Sequence, residues 1–182
     1  MTKRPTTRIF LQPETVAIQR SMTPISVGII TVSDRASAGD YQDFGGPALK
    51  AAAEKRGWDV LCEAVVPDDA VRIQEAVRSF SAQGCGLILT TGGTGIAERD
   101  VTPEAIRDIM RVEIPGFGEV MRSKSMEVTP NAIVSRNLAA VVDRSLVIAL
   151  PGKPSGAVEC LGFVEDAIPH AVALAQRKPT SC

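Results

Sequence analysis

The chain has 182 residues, of which 45% are hydrophobic, a net charge of −1 and a pI of about 5.9. This length fits one domain of ordinary size that buries a core without crosslinks. The small net charge and an aromatic content of 4% exclude the basic field and base-stacking surface of a typical nucleic-acid-binding protein. No apolar run approaches the roughly 18 residues that a membrane span requires.

The cysteines argue against a zinc site. They stand at positions 62, 85, 160 and 182 without a C-x-x-C pair, and His170 is the only histidine. Cys62, Cys85 and Cys160 lie in apolar stretches, which predicts small, buried side chains in a protein of the reducing cytoplasm.

The first 24 residues differ from the rest of the chain. Four basic residues face only one acid, Glu14, and no long apolar stretch indicates a secretory signal. A transit peptide would share this basic character, but we favour a loosely ordered leader over residues 1–24 and one domain over residues 25–178.

The first half of that domain alternates strand and helix patterns. In chain order these are a strand over 25–33, a polar loop over 34–43, a helix over 48–56, a strand over 58–66, a helix over 70–83 and a strand over 86–90. The first strand, ISVGIITVS, is apolar enough to be buried on both faces. Gly57 is a typical helix end, and Pro67-Asp68-Asp69 breaks the second strand.

The second half continues the alternation. It holds a helix over 102–111, a helical piece over 118–126, an undecided segment over 131–135, strands over 138–142 and 146–150, and a last helix to about residue 176. Thr102 is the expected N-cap with Pro103 at the first helical position, and residues 143–145 predict a hairpin turn. The pattern predicts an α/β fold with three layers, α/β/α, around a mainly parallel sheet.

The most informative stretch is residues 87–104, LILTTGGTGIAERDVTPE. An apolar strand ends at Thr91 in a glycine-rich loop over residues 92–95, and the next helix opens at Thr102. In an open α/β sheet such a loop lies where ligands bind, and glycines let backbone N–H groups approach an anion. The loop lacks the Gly-Lys-Ser/Thr of a Walker P-loop and the third glycine of a dinucleotide-binding fingerprint.

Four polar loops follow predicted strands, and we expect them to meet at one edge of the sheet. They cover residues 33–37, 67–69, 91–100 and 151–155. Their backbone N–H groups suit phosphate, and their carboxylates suit a hard cation such as Mg²⁺. Arg35, Arg99 and Lys153 can neutralise further anionic charge.

These residues also have simpler structural interpretations. Asp68 or Asp69 is a candidate helix cap, and Asp100 is a weaker candidate than Thr102 for the next helix. Asp34 and Ser37 can make turns, and Lys153 can be a solvated charge. The occurrence of all these motifs in one chain favours the functional interpretation over the structural one.

Over residues 25–178 the chain resembles the Mog-type molybdopterin adenylyltransferases, which include the plant and animal G domains of molybdenum-cofactor synthesis. The matching segments, in order, are residues 33–37 with 41–43, 67–69, 90–95, 99–105, 115–119, 135–136 and 151–154. A paralogous bacterial branch keeps TGGTG but lacks both the Pro-Asp-Asp turn and Arg-Asp-Val-Thr-Pro. Both are present here, which favours the catalytic branch.

The resemblance implies a molybdopterin-binding fold and a nucleotidyl transfer. The family transfers AMP from Mg-ATP to the terminal phosphate of molybdopterin and releases pyrophosphate. Asp68 and Asp100 match the family's essential acids, which implies that they are catalytic and hold Mg²⁺. The substrate-binding residues implied are Asp34, Ser37, Thr91, Gly92, Gly93, Thr94, Gly95, Ser135, Arg136, Pro151, Gly152, Lys153 and Ser155.

The resemblance also implies a homotrimer that binds molybdopterin and ATP and hands its product to a molybdenum-insertion protein. The composition predicts a cytoplasmic location and no nucleic-acid or membrane partner. One alternative is a carrier that binds molybdopterin or its adenylate without catalysis, but pure binding does not require both Asp68 and Asp100. Another is an interaction scaffold built on the same fold, which would want an appended interaction domain.

Overall fold

The computed structural model describes residues 24–179. Most of the predicted leader over residues 1–24, and Cys182, therefore lie outside the described residues. Within the described range the chain forms one six-stranded sheet with helices on both faces.

The sheet is mainly parallel, as predicted, and its strand order is β2-β1-β3-β6-β5-β4. The strands are β1 Ser26–Val32, β2 Asp59–Val66, β3 Leu87–Thr91, β4 Val112–Glu113, β5 Leu138–Val142 and β6 Ser145–Leu150. Strands β1, β2, β3 and β6 pair in parallel, whereas β5 runs antiparallel to both of its neighbours. The predicted hairpin is confirmed, since Val142 pairs with Ser145 across a tight turn.

Seven α-helices connect and cover the described strands. They are α1 Asp34–Ser37, α2 Gly45–Lys55, α3 Ala70–Ala82, α4 Thr102–Ile109, α5 Pro115–Met126, α6 Pro154–Val164 and α7 Ile168–Ala175. One face of the sheet packs against α2, α5, α6 and α7, with Leu49, Met121 and Leu161 fully buried. The other face packs against α3 and α4 through Ile73, Val77 and Ile106. This is the predicted three-layer arrangement.

Central strands β3, β5 and β6 are buried along their whole length. Burying such apolar side chains on both faces contributes roughly 1.5–3 kcal/mol for each large residue. The sheet is therefore a rigid support, and the loops at the carboxyl ends of its strands are held at fixed positions relative to one another.

Two helices begin three residues earlier than predicted, and one short helix was not predicted. Helix α2 begins at Gly45 rather than at residue 48, because the Asp43 carboxylate accepts hydrogen bonds from the N–H groups of Gly45 and Gly46. Helix α5 begins at Pro115 rather than at residue 118. The predicted polar loop contains α1, which Ser33 caps by accepting from the Ala36 N–H.

The prediction that Thr102 caps helix α4 is wrong. Thr102 is the first helical residue, and its hydroxyl donates to the Gly92 carbonyl at 2.9 Å instead. The prediction of one continuous last helix is also wrong, because a 3₁₀ turn over Glu165–Ala167 divides this segment into α6 and α7. The undecided segment forms a 3₁₀ helix, Pro130–Val134, and the two-residue strand β4 was not predicted.

The cysteines partly follow their prediction. Cys85 and Cys160 are 1% exposed, whereas Cys62 is half-buried and approaches the Gln83 side chain. These three are free thiols. No helix between residues 24 and 179 is both long enough and apolar enough to cross a bilayer.

Candidate functional site

The four polar loops meet in one cavity at the carboxyl edge of the sheet. The cavity has a volume of about 480 Å³ and is open to solvent. Each of the four loops supplies lining residues, which include Asp34, Asp68, Thr91, Gly92, Gly93, Asp100 and Gly152. Seven of the residues predicted for the site therefore lie around a single space.

Asp34 and Asp68 hold the ends of β1 and β2 together. The Asp34 N–H donates to Asp68 Oδ2 at 2.8 Å, and the Asp68 N–H donates to Asp34 Oδ1 at 3.0 Å. Arg99 reaches across from the glycine-rich loop and donates to both carboxylate oxygens of Asp34, at 3.0 and 2.9 Å. This ring fixes the position of Asp68 while leaving its Oδ1 without a hydrogen bond from any described residue.

The two carboxylates have opposite electrostatic environments. The Arg99 hydrogen bonds lower the pKa of Asp34. Burial raises the pKa of Asp68, and the negative charges of Asp34 and Asp100 raise it further, against the opposing effects of its hydrogen bond to Asp34 and the charge of Arg99. Asp68 is thus a partly buried acid whose charge is not matched by a cation of its own, and a bound cation would stabilise its ionised form.

Asp100 closes the far side of the glycine-rich loop. Its Oδ2 accepts from the Ala97 N–H at 2.8 Å, which shapes the turn before helix α4. A Cβ atom at Gly95 would lie 2.7 Å from that same oxygen. Glycine at position 95 therefore allows the loop to pass close to the Asp100 carboxylate.

The loop backbone is held tightly against the sheet. Gly92 has φ of +106°, and a Cβ atom there would lie 2.1 Å from the Val32 carbonyl oxygen. Thr102 binds the loop twice, through its hydroxyl to the Gly92 carbonyl and its N–H to the Gly93 carbonyl. The Thr91 hydroxyl donates to the Pro151 carbonyl at 2.8 Å and ties this loop to the next. The fixed backbone fits the close approach of an anion that was predicted for it.

A second cavity, of about 580 Å³, adjoins the first at Gly152. Six further predicted residues line it: Thr94, Gly95, Ser135, Pro151, Lys153 and Ser155. The Ser135 hydroxyl donates to Asn137 Oδ1 at 2.7 Å. Thirteen of the fifteen predicted site residues are thus divided between two neighbouring cavities.

Two predicted site residues face neither cavity. The Arg136 guanidinium donates to the carbonyls of Gly95 and Asp100 and pairs with Glu104, so it supports the glycine-rich loop from behind. The Ser37 hydroxyl donates to the Asp34 carbonyl and closes the single turn of α1. In this structure both side chains are engaged in hydrogen bonds within the loop and helix that carry the site, and neither lines the two cavities.

Several lining residues were not predicted. The second cavity carries Arg122, Ser125, Asn131, Asn137 and Glu159, and the first carries Asp43 and two aromatic residues. Glu159 follows Ser155 by four residues, about one helical turn, so the helical spacing in α6 is the signal that could have identified it. Asn137 is 3% exposed just before β5, where its carbonyl accepts from Arg122 and its amide donates to Cys160, and no local pattern indicated it.

The acids around the first cavity fit a metal that is bound partly by its substrate. No group of three or more His, Cys, Asp or Glu side chains between residues 24 and 179 is arranged to hold a metal ion. Mg²⁺ in nucleotide enzymes is bound by one or two carboxylates together with substrate phosphates. Asp68 and Asp100, with oxygen donors only, are the residues that fit this mode.

Comparison with known proteins identifies the family. Residues 28–170 match the family described as "Probable molybdopterin binding domain". The molybdopterin adenylyltransferase of Haemophilus influenzae is 44% identical over 145 residues, which cover 78% of this chain and 74% of that protein. The enzyme of the same name from Helicobacter pylori is 40% identical over 156 residues, covering 84% of this chain and 89% of that protein.

The fold is that of solved molybdopterin-biosynthesis proteins. The crystal structure of the molybdopterin biosynthesis enzyme MoaB from Thermus thermophilus superposes with a TM-score of 0.79 at 40% identity and covers 86% of this chain and 99% of that one. The cavity lies within the matched residues. The chain belongs to the molybdopterin-binding domain family of molybdenum-cofactor biosynthesis.

Proposed function

We propose that this chain is a molybdopterin adenylyltransferase that transfers AMP from Mg-ATP to the terminal phosphate of molybdopterin. An oxygen of the pterin phosphate attacks the α-phosphorus of ATP, the bond from that phosphorus to the α–β bridging oxygen breaks, and pyrophosphate leaves with the bonding electrons. The observation that carries the proposal is the convergence of Asp68, Asp100 and the glycine-rich loop on one cavity.

Asp68 and Asp100 are the residues that would hold Mg²⁺. The ion would neutralise phosphate charge that develops as pyrophosphate leaves. Asp34 and Arg99 act as positioning residues, since their hydrogen bonds fix the backbone and side chain of Asp68. The backbone of residues 92–93 lines the cavity and would contact the phosphates, so the protein would contribute orientation and charge balance, which are the main requirements of such transfers.

The two adjoining cavities divide the substrates between them in this proposal. The first cavity carries the acids and takes the Mg-bound phosphates of ATP. The second is lined by hydroxyl and amide side chains, by the cations of Arg122 and Lys153 and by one carboxylate, Glu159. In this proposal it takes the pterin, whose ring edge alternates hydrogen-bond donors and acceptors. Gly152 lies in both linings, where the pterin phosphate meets the nucleotide.

Within the family we place this chain in the Mog-type catalytic branch. Solved neighbours carry both the MoaB and the MogA names, so family membership does not by itself decide the branch. The support is the presence of both acidic motifs, Pro67-Asp68-Asp69 and residues 99–103, with Asp68 and Asp100 lining the same cavity.

We further propose that the enzyme works in the cytoplasm as a homotrimer and hands its adenylated product to a molybdenum-insertion protein. Free thiols at Cys62, Cys85 and Cys160 fit a reducing compartment. Helix α5 and the segment after it expose large apolar side chains that an interface between copies would cover, namely Val120, Met126, Val128, Ile133 and Val134. The domain proposed for this activity is residues 25–178.

A turnover assay with molybdopterin and Mg-ATP tests the proposal. We expect adenylated pterin and pyrophosphate in equal amounts, and loss of both when EDTA removes the metal. Tight binding of molybdopterin without product, by protein whose fold is verified by circular dichroism, would contradict the enzyme and support the non-catalytic carrier.

A further inference from the structure

Two aromatic side chains stand at the rim of the acidic cavity without a place in the core. Tyr41 and Phe44 both line the cavity, and each is 48% exposed. They belong to a chain with one tyrosine, one tryptophan and five phenylalanines. Large aromatic side chains this exposed lack the stabilisation that burial would give them, and exposed apolar groups at a cavity often bind ligands.

The two rings form a corner. Their centroids are 5.8 Å apart and their planes meet at 74°. The Arg35 guanidinium lies 4.8 Å from the centre of the Tyr41 ring, at cation–π distance. A flat heterocycle that stacks on one ring would therefore meet the other at nearly a right angle.

The corner is anchored to the sheet by Asp43. The Thr31 hydroxyl donates to Asp43 Oδ2 at 2.8 Å, and the N–H groups of Gly45 and Gly46 donate to its Oδ1. Asp43 lies between the two aromatic residues in sequence, so these bonds hold the backbone that carries both rings. The corner is preorganised, which lowers the entropy cost of ligand binding.

The same cavity also holds the acids assigned to the metal and the phosphates. Asp68, Asp100 and the backbone of residues 92–93 line it together with Tyr41 and Phe44. A ligand that fills this cavity needs an anionic, metal-bound part and a flat ring. A purine nucleoside triphosphate has both, and its phosphates would already be placed by the proposed reaction.

We propose that Tyr41 and Phe44 form the binding surface for the adenine base of ATP, with Arg35 positioning the Tyr41 ring. This assignment rests on the proposed function and adds the nucleotide-base site to it. Stacking recognises the flat face that every base has, so this corner supplies affinity with little discrimination between purines. We therefore expect GTP to bind with an affinity close to that of ATP.

The test is calorimetric titration of the full chain with the magnesium complex of α,β-methylene-ATP, which cannot react at the transferred bond. Base stacking contributes roughly 1–3 kcal/mol by alanine substitution, which corresponds to a weakening of about 5- to 150-fold. We expect a loss in this range for Tyr41→Ala and for Phe44→Ala. Binding of magnesium tripolyphosphate, which has no base, should be unchanged in both variants.

Conservative and distant substitutions serve as controls. Tyr41→Phe and Phe44→Tyr keep the rings and should keep nucleotide affinity within about twofold. Leu61→Ala removes an exposed apolar side chain on β2, which lines neither cavity, and should change nothing. Circular dichroism of each variant verifies its fold.

The outcomes separate this inference from the proposed function. If the wild-type chain binds neither ATP analogue nor tripolyphosphate, the nucleotide-dependent function fails and the base site fails with it. If the wild type binds the analogue and both alanine variants bind it equally well, only the base site is wrong. In the turnover assay, a higher KM for molybdopterin with an unchanged KM for ATP in Tyr41→Ala and Phe44→Ala would instead assign the aromatic corner to the pterin.

Discussion

Asp68 is a residue whose ionised form lowers the stability of the folded chain while serving the proposed cation site. Burial raises its pKa, so its ionised form is less favourable in the folded chain than in the unfolded one. Its backbone and side chain are nevertheless fixed by reciprocal hydrogen bonds with Asp34. A carboxylate held where its charge is disfavoured is typical of a group kept for binding a cation.

Substituting Asp68 by Asn should separate the two effects. The amide oxygen can still accept from the Asp34 N–H, and no buried charge remains. We expect a melting temperature at or above that of the wild type and a loss of turnover of at least about 100-fold, a typical cost of removing a charged catalytic group. Thermal unfolding and the adenylation assay measure both quantities.

The neighbouring residue provides a matched control for that substitution. Asp69 accepts from the Arg72 N–H and caps helix α3, and Asn is an equally good cap. Asp69→Asn should keep both stability and turnover. If Asp68→Asn kept wild-type turnover, as is expected for Asp69→Asn, Asp68 would have no part in the mechanism.

Asp100→Asn is the corresponding test at the other end of the cavity. The amide oxygen can preserve the hydrogen bond from the Ala97 N–H, so the turn before α4 should persist. We expect the fold to be kept and adenylation to be largely abolished, by about 100-fold or more. A variant with normal turnover would show that Asp100 only shapes the loop.

At the scale of elements, the glycine-rich loop works because it has no side chains where it meets the sheet. Gly92 combines a positive φ with a distance of 2.1 Å between an added Cβ and the Val32 carbonyl oxygen. The oxygen belongs to the backbone at the end of a central strand and cannot move without distorting β1. The loop's closeness to the sheet is thus a property of both elements together.

Gly92→Ala should therefore be severely destabilising, with a loss in the free energy of unfolding of about 3 kcal/mol or more. Gly39 is the control, since it has φ of +82° but open space around its Cβ position. Gly39→Ala carries only the backbone strain and should cost about 1–2 kcal/mol. Urea unfolding compares the two, and equal losses would show that strain rather than the clash dominates at Gly92.

The elements that the sequence predicted well are those with a strong local composition signal. Runs rich in apolar and β-branched residues placed β1, β2, β3, β5 and β6 to within a residue or two. Thr102 was assigned to the wrong role because its hydrogen bond runs to Gly92, ten residues earlier in the chain, rather than into its own helix. Such a bond depends on how two elements meet.

At the scale of the whole molecule, the topology of the sheet brings the site together. Strands β1, β2, β3 and β6 are parallel neighbours, so their following loops meet at one edge although they are far apart in sequence. This allowed the sequence to predict which loops form the site. It could not predict that Arg136 supports the loop from behind, or that Tyr41 and Phe44 form a corner, since both depend on side-chain packing between segments.

The domain assignment makes a prediction at this scale. Among the described residues, both faces of the sheet already have a well-packed apolar core. A chain that begins at residue 24 should therefore keep the melting temperature and the turnover of the full chain. Parallel unfolding and activity measurements check this, and a loss of either would give residues 1–23 a structural or catalytic part.

The central claim is that this chain moves an adenylyl group, and the fate of isotopic labels tests it most directly. Molybdopterin and Mg²⁺ are incubated with the chain and either α-labelled or γ-labelled ATP. Adenylyl transfer predicts that the α label appears on the pterin and the γ label in pyrophosphate. A γ label on the pterin, or an α label recovered only in unreacted ATP while molybdopterin remains bound, would contradict the account.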